Sequence, residues 1–412
     1  MLNLYNTLAG RTELFNPIED KEVKMYTCGP STYMRPHIGN LRTFLYEDIL
    51  ERYFEYLGYK VTRLMTLTDV EDKAIAEAKK ENITIEELTN RNEKLLCHDF
   101  EFLRIEIPNY MVRASTVVYH AVRMIKVLIL RGYAYWHNHD RKKNVYFDPL
   151  RFQGFGKLAK LDMSHWPKRR KRFHKDTYPG TPWNKGDFIL WHGCAEDDAC
   201  WETEIGRGRP AWNLQDAAIV TKHLGYTLDV AAGGIDNLAR HHDYTIAVAE
   251  AVSGKQFARY WLHGGHLFVN GKKMSKSKGN VYYVSDIAAK GYEGTHLRFF
   301  LIYRNYRKRL NFTWEKLAKK SHKLNQFKIM VQDLKKAKSS SNGKAKLLIA
   351  KIASNFERNM NNDLNVKAAF DAVFAVVVKL QQLKKNDCMS AEEADVAINK
   401  LKDIDRVLKV IF

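Results

Sequence analysis

KEVKMYTCGPSTYMRPHIGNLRTFLYEDILERYFEYLGYKVTRLMTL, Lys21–Leu67, is the stretch whose reading decides the fold. Lys21–Cys28 reads as a strand and is followed by a Gly/Pro loop. From Leu41 to Leu57 the apolar residues Leu41, Phe44, Leu45, Ile49 and Phe54 recur at helical spacing. Gly58 is the expected stop, because glycine takes the left-handed cap without a Cβ penalty. Tyr59–Leu67 is the next strand. Strand, helix and strand in this order predict a βαβ unit, the start of a doubly wound parallel sheet of the α/β class. His37-Ile38-Gly39-Asn40 lies between the first strand and its helix. Sheets of this kind bind nucleotides there, at the carboxyl ends of the strands. Backbone N–H groups at a helix start point at an anion, Gly39 allows close approach, and His37 has an imidazole to donate to phosphate oxygen.

Further along, Tyr226–Asp236 reads as a strand ending in a Gly233-Gly234 turn, and His241–Gly254 as a helix with a glycine stop. Leu267–Val269 runs into Asn270-Gly271, a strong hairpin-turn signal. The segment GKKMSKSKGN, Gly271–Asn280, then sets Lys272, Lys273, Lys276 and Lys278 on a loop suited to closing over a polyanion. Between these parts, Glu71 to Gly132 is dominated by helical patterns. Tyr133 to Cys200 is richer in loops, carries the basic run Lys168–Arg172 and Asp187–Trp191 as a strand, and reads as an inserted subdomain. From Arg309 onward the chain reads as helical. Leu334–Lys346 is an exposed connection, Asn365 an N-cap, and Glu392–Phe412 the last helix.

A formal net charge of +20 over 412 residues favours a polyanionic partner. No apolar run approaches the length of a membrane span, and the N-terminus lacks the apolar segment of a signal peptide. Five scattered cysteines, Cys28, Cys97, Cys194, Cys200 and Cys388, point to a reducing cytoplasm with thiols free or on metal. The spacing of Cys194 and Cys200 matches no common zinc knuckle.

His37–Asn40 early and Lys273-Met274-Ser275-Lys276-Ser277 late form a pair that resembles the signature of class I aminoacyl-tRNA synthetases. MYTCGPSTYMRPHIGNLRTF, LTDVEDKAI, NVYFDP, GDFILWHG, GRGRPAW, GGIDNLARHH and KKMSKSKGNV, in that order, resemble the cysteinyl-tRNA synthetases along nearly the whole chain. The resemblance implies a Rossmann-type catalytic domain in two halves (1–132 and 201–262), a connective insertion (133–200), a lysine-loop module (263–308) and a C-terminal helical bundle (309–412). It implies ATP and Mg2+ as cofactors, an amino acid and tRNA as partners, and activation of the amino acid as an aminoacyl-adenylate. His37, Asn40, Lys273 and Lys276 would be catalytic, and Gly39, Gly233, Gly234, Asp236 and Lys276 would bind ATP. Cys28, Gly29, Thr68, Trp212, Asp216 and Asp229 would hold the amino acid, Asp229 through its ammonium.

Two departures from the family pattern stand out. Family members bind zinc through two cysteines, a histidine and a glutamate, and the metal takes the substrate thiolate. Here those positions hold Cys28, Asp216, His241 and Thr245, so a three-ligand set of Cys28, Asp216 and His241 is what the resemblance leaves. Asn213, Gln215 and Ala231 also replace usual residues. Together these changes read as a retuned amino-acid site, in which Asp216 meets a cationic or hydroxyl side chain or a different metal geometry. The second departure is that the sequence stops at Phe412, near where relatives continue into an anticodon-reading domain. The expected acceptor is tRNA, held by the bundle, the basic loop, Arg304, Arg307, Lys308 and Arg309. The alternatives are an adenylate-forming ligase with a non-tRNA amine acceptor and a catalytically silent RNA-binding paralogue.

Overall fold

Five strands make one all-parallel sheet: Glu22–Thr27 (β1), Lys60–Leu67 (β2), Tyr110–Arg113 (β3), Leu228–Gly234 (β4) and Ala258–Gly264 (β5). Their order across the sheet is β5-β4-β1-β2-β3. The chain works outward from β1 in one direction, then returns to its other side, so the winding reverses between β1 and β4. That reversal leaves a crevice at the carboxyl ends of these two strands. This computed structural model describes residues 1–139, 142–165, 186–194, 200–274, 279–338 and 343–412. The basic run 168–172 and the loop residues 275–278, which include Lys276, lie outside them.

Both faces of the sheet are covered, which is why its strands read as nearly continuous apolar runs. Val23 and Met25 of β1 pack with the helix Ile38–Tyr56 (α1) and, in the same buried cluster, with the C-terminal helices. Tyr26 and Cys28 point the other way, into a cluster with Val118–Leu130, Trp212–His223 (α2) and Asp243–Ser253 (α3). Four helices end the chain, Trp314–Leu334, Lys344–Met360, Val366–Lys385 and Ala391–Leu408. An antiparallel sheet of Ala134–His139, Lys142–Phe147, Phe188–Gly193 and Gly208–Pro210 sits beside the parallel one in sequence, between β3 and α2.

Several local expectations meet the structure directly. Gly58 has φ +88°, and Asn270 and Gly271 have φ 48° and 76°, the double left-handed turn that joins Leu267–Val269 to Lys272–Lys273. Asn365 caps its helix by accepting from the Ala368 N–H. The stretch Glu71–Gly132 is mostly helical and also carries the edge strand β3, four residues long. Two readings are corrected. The last helix ends at Leu408, because the Asp405 carboxylate accepts the N–H groups of Val410, Ile411 and Phe412 and turns the chain away. Cys194 and Cys200 are joined as a disulfide, whereas free or metal-bound thiols were expected; Cys28, Cys97 and Cys388 are free.

Candidate active site

The crevice is a cavity of about 800 Å³. Its wall includes Cys28 and Gly29 from the end of β1, His37 and Asn40 from the start of α1, and Thr68 from the end of β2. Trp212 and Asn213 open α2 on one side, Gly234, Asp236 and Asn237 follow β4, and Met274 comes from the lysine-bearing hairpin. Cys28, His37, Thr68 and Asp236, far apart in sequence, converge because each lies at or beyond the carboxyl end of a parallel strand, while Trp212, Asn213 and Met274 come from neighbouring elements.

α1 begins at Ile38, three residues before its apolar periodicity, because His37 itself is the N-cap. His37 Nδ1 accepts the N–H groups of Gly39 (3.1 Å) and Asn40 (3.2 Å), while Asn40 Oδ1 accepts the His37 N–H (3.1 Å). Burial holds the His37 imidazole below its ordinary pKa, so it is neutral near pH 7. A neutral ring that accepts at Nδ1 carries its proton on Nε2. The cap therefore fixes a donor tautomer at the positive end of a helix dipole. The hairpin lies against this same helix start: a Cβ at Gly39 would be 2.4 Å from Met274 Cε. Lys273 is exposed on the hairpin arm, one residue before Met274.

Beneath the opposite wall is a buried polar network. The Tyr26 hydroxyl donates to Asp216 Oδ2, and His241 Nε2 lies 2.7 Å from the same oxygen. Burial pushes the Asp216 carboxyl up, but His241 and the hydrogen bonds from His241 and Tyr26 outweigh it and hold the carboxyl below its usual range. Trp212 stacks on His241 with ring centroids 4.2 Å apart. His242 Nδ1 is 2.9 Å from His263 Nε2, and His263 Nδ1 is 2.9 Å from Thr7 Oγ1. Burial keeps both of these imidazoles neutral, with His263 brought down to about 3. Asn237 Nδ2 donates to Cys28 Sγ at 3.3 Å. Burial, with Asp216 next, pushes the Cys28 thiol up.

Set against the sequence, His37, Asn40, Cys28, Gly29, Thr68, Trp212, Gly234 and Asp236 share the cavity wall. Asp216 and His241 are buried behind it. Asp229 is not brought to it, which corrects its expected role at the substrate ammonium. It sits at the amino end of β4, where its carboxylate accepts the N–H groups of Ile18 (2.6 Å) and Lys24 (2.8 Å). Thr245 Oγ1 donates to the His241 carbonyl one turn back in its own helix. Asp243 is also spoken for, accepting from Leu158 and Ala159 N–H. Among the described residues one trio presents metal-binding donors together: Cys28, His241 and His242, whose donor atoms all lie within 4.8 Å of one another. Periodicity gives no hint of His242, since neighbours on an α-helix face about 100° apart. Leu238–His242 forms a single π turn in the structure. Tyr33, with Lys73 set over its ring at 5.3 Å, and Arg209, paired to Asp72, add a mouth that the motifs do not mark.

Residues 14–322 match the family of tRNA synthetases class I (C) catalytic domains. The chain is 37% identical over 416 residues to a protein of Chlamydia pneumoniae named cysteine--tRNA ligase, with 100% of this chain and 86% of the relative covered. A cysteine--tRNA ligase of Koribacter versatilis is 35% identical, with 100% and 82% covered. Among solved structures, a Mycobacterium tuberculosis methionyl-tRNA synthetase bound by methionyl-adenylate superposes with a TM-score of 0.68 at 14% identity, over 95% of this chain and 90% of that one. An Agrobacterium radiobacter LeuRS in a ternary complex gives 0.63 at 12% identity, over 96% and 85%. At such identities the likeness establishes a shared class I fold.

Proposed function

The chain belongs to the cysteinyl-tRNA synthetase family of class I ligases, and from that premise we propose that it activates an amino acid as its adenylate and passes it to tRNA. In the first step a carboxylate oxygen bonds to the α-phosphorus of ATP, the α–β bridging P–O bond breaks, and pyrophosphate leaves. In the second a terminal ribose hydroxyl of tRNA attacks the acyl carbon and AMP leaves. Neither step needs a covalent protein intermediate; orientation and fixed positive charge carry them. His37 donates from Nε2 to phosphate oxygen, and Asn40 keeps that ring in register. Lys273 and Lys276 neutralise the departing pyrophosphate. Gly39, Gly233 and Gly234 offer backbone to ATP and Asp236 takes its ribose; Mg2+, bound with the nucleotide, would add positive charge to the triphosphate. Cys28, Gly29, Thr68 and Trp212 frame the amino acid, for which the relatives' names point to cysteine.

The observation that carries this reading is the single cavity walled by both the His37 turn and the residue that leads into the lysine loop. The net charge of +20 supports RNA as acceptor, with Arg304, Lys308 and Arg309 as contacts. Arg307 is partly engaged, its guanidinium being paired to Asp363 at 2.6 Å. The chain divides at 132, 200, 262 and 308 in this proposal, and it works in the cytoplasm. No helix among the described residues is long and apolar enough to cross a membrane.

ATP–pyrophosphate exchange measured with each of the twenty amino acids, followed by charging of total tRNA, tests the reading. Exchange with cysteine and charged tRNA are the expected results. Exchange without charging would move the acceptor to a small amine. Absence of exchange with every amino acid would leave a silent paralogue.

A further inference from the structure

Four positions hold zinc in this family, and two of them are engaged elsewhere here. Thr245 donates its hydroxyl to the His241 carbonyl, and Asp216 Oδ2 accepts from Tyr26 and lies 2.7 Å from His241 Nε2, so neither joins the cluster of donors that Cys28, His241 and His242 form. We propose that the chain holds a divalent metal, zinc by its donor set, through a rebuilt trio of Cys28 Sγ, His241 Nδ1 and His242 Nε2.

Three observations carry this independently of ancestry. The first is the pair of orphaned nitrogens. His241 and His242 are both 0% exposed, and His241 Nδ1 and His242 Nε2 are buried with no hydrogen-bond partner. An unsatisfied buried imidazole nitrogen is costly, and two beside a thiol call for a shared occupant. The second is the outer ring of bonds. His241 Nε2 lies on the Asp216 carboxylate, and donating to it leaves a lone pair on Nδ1; His242 Nδ1 lies 2.9 Å from His263 Nε2, and in the tautomer in which it donates there, with His263 Nδ1 donating to Thr7, a lone pair is left on His242 Nε2. A ligating histidine is usually pinned in this way, with its far N–H on a carboxylate or another acceptor. Asp216 thus moves from ligand to orienting partner. The third is space. A Cβ at position 233 would lie 3.1 Å from His242 Nε2 and 3.3 Å from Cys28 Cβ, so glycine there keeps the two donors facing each other. One sulfur and two imidazole nitrogens suit zinc, with a fourth position left for a substrate atom. Cys28 is the member of the trio that reaches the cavity wall, and a thiol entering from that side would complete the four. This last role rests on the adenylate-forming reading; the metal centre itself does not.

The test is metal content and the spectrum of the cobalt(II)-substituted full chain, read beside pyrophosphate exchange. Wild-type protein prepared with zinc should carry about one ion per chain, and the cobalt form should show a tetrahedral spectrum with one thiolate charge-transfer band. Cys28→Ser should abolish that band. His242→Ala should lose the metal, Thr245→Ala should keep it, and Asp216→Asn should weaken it about 10- to 100-fold without removing it. His242→Gln, checked by circular dichroism, covers the case in which the alanine variant fails to fold. A wild-type protein free of metal overturns the proposal, as does a folded His242 variant that retains the ion while Asp216→Asn loses it. Metal without exchange would sink the functional reading and leave the centre standing; exchange without metal would do the reverse.

Discussion

His37 has two jobs that a single substitution can separate. Its Nδ1 caps α1, and its ring lines the cavity. Asparagine is a strong N-cap but has no imidazole, so His37→Asn should leave stability within about 0.5 kcal/mol, whereas His37→Ala should lose about 1 kcal/mol. Both should lower pyrophosphate exchange about 100-fold, the typical effect of removing one oriented donor from a transition state. Urea unfolding and exchange rates on the two variants check this, and equal losses of stability would contradict it. The residue scale is also where the sequence was most and least informative. His37, Asn40 and Asp236 were legible because they follow strands and flank glycines. Asp229 was misleading because composition does not say which end of a parallel strand a residue occupies. His242 was hidden because adjacent helical residues are expected to face about 100° apart, and the sequence does not show that Cys28 lies beside both imidazoles.

At the scale of elements, α1 and β2 enclose a charge imbalance. Glu47 and Glu51 lie one turn apart on α1, both buried, and Arg63 of β2 is the guanidinium they share. Arg63 Nε is 2.9 Å from Glu51 Oε2, while neither Glu47 oxygen has a hydrogen-bond partner. Burial outweighs Arg63 for both carboxyls and brings Glu51 up to about 8. In the unfolded chain a glutamate loses its proton near pH 4.3. The folded state thus keeps protons that the unfolded state has given up, and the resulting contribution to stability is lost as pH rises from about 4.3 to about 8. Glu51→Gln should flatten the fall in melting temperature between pH 5 and pH 8.5 relative to wild type; thermal melts across that range decide it, and parallel curves would refute it. The elements themselves were readable where the period was sustained, as in α1 and β2. β3 was not, because four residues at a sheet edge are too few to show alternation.

Across the whole molecule, buried arginines join distant segments through backbone. Arg298 is 0% exposed and donates to the carbonyls of Leu408 (2.7 Å), Leu103 (3.0 Å) and Arg104 (2.9 Å), and it pairs with Asp48 of α1. It thereby fastens the end of the terminal helix to the nucleotide half. Arg298→Met should cost about 3 kcal/mol, since Asp48 Oδ2 and the carbonyls remain buried after their donor is gone, even though Asp48 Oδ1 keeps Arg52 and the Glu106 N–H. Chemical denaturation measures this, and a loss under 1 kcal/mol would show that the link is dispensable. Arg42 makes a similar join from α1, its guanidinium reaching the carbonyls of Gly265, His266, Tyr306 and Lys308. A clasp that grips main chain asks nothing of the side chains it holds. His266 and Lys308 could therefore be exchanged without loosening this contact, whereas Tyr306 is held besides by Asp363 and by its stacking on Tyr46. Within this contact it is the arginine, and not the residues it grips, whose replacement would loosen the join between α1 and the segments at 265–266 and 306–308.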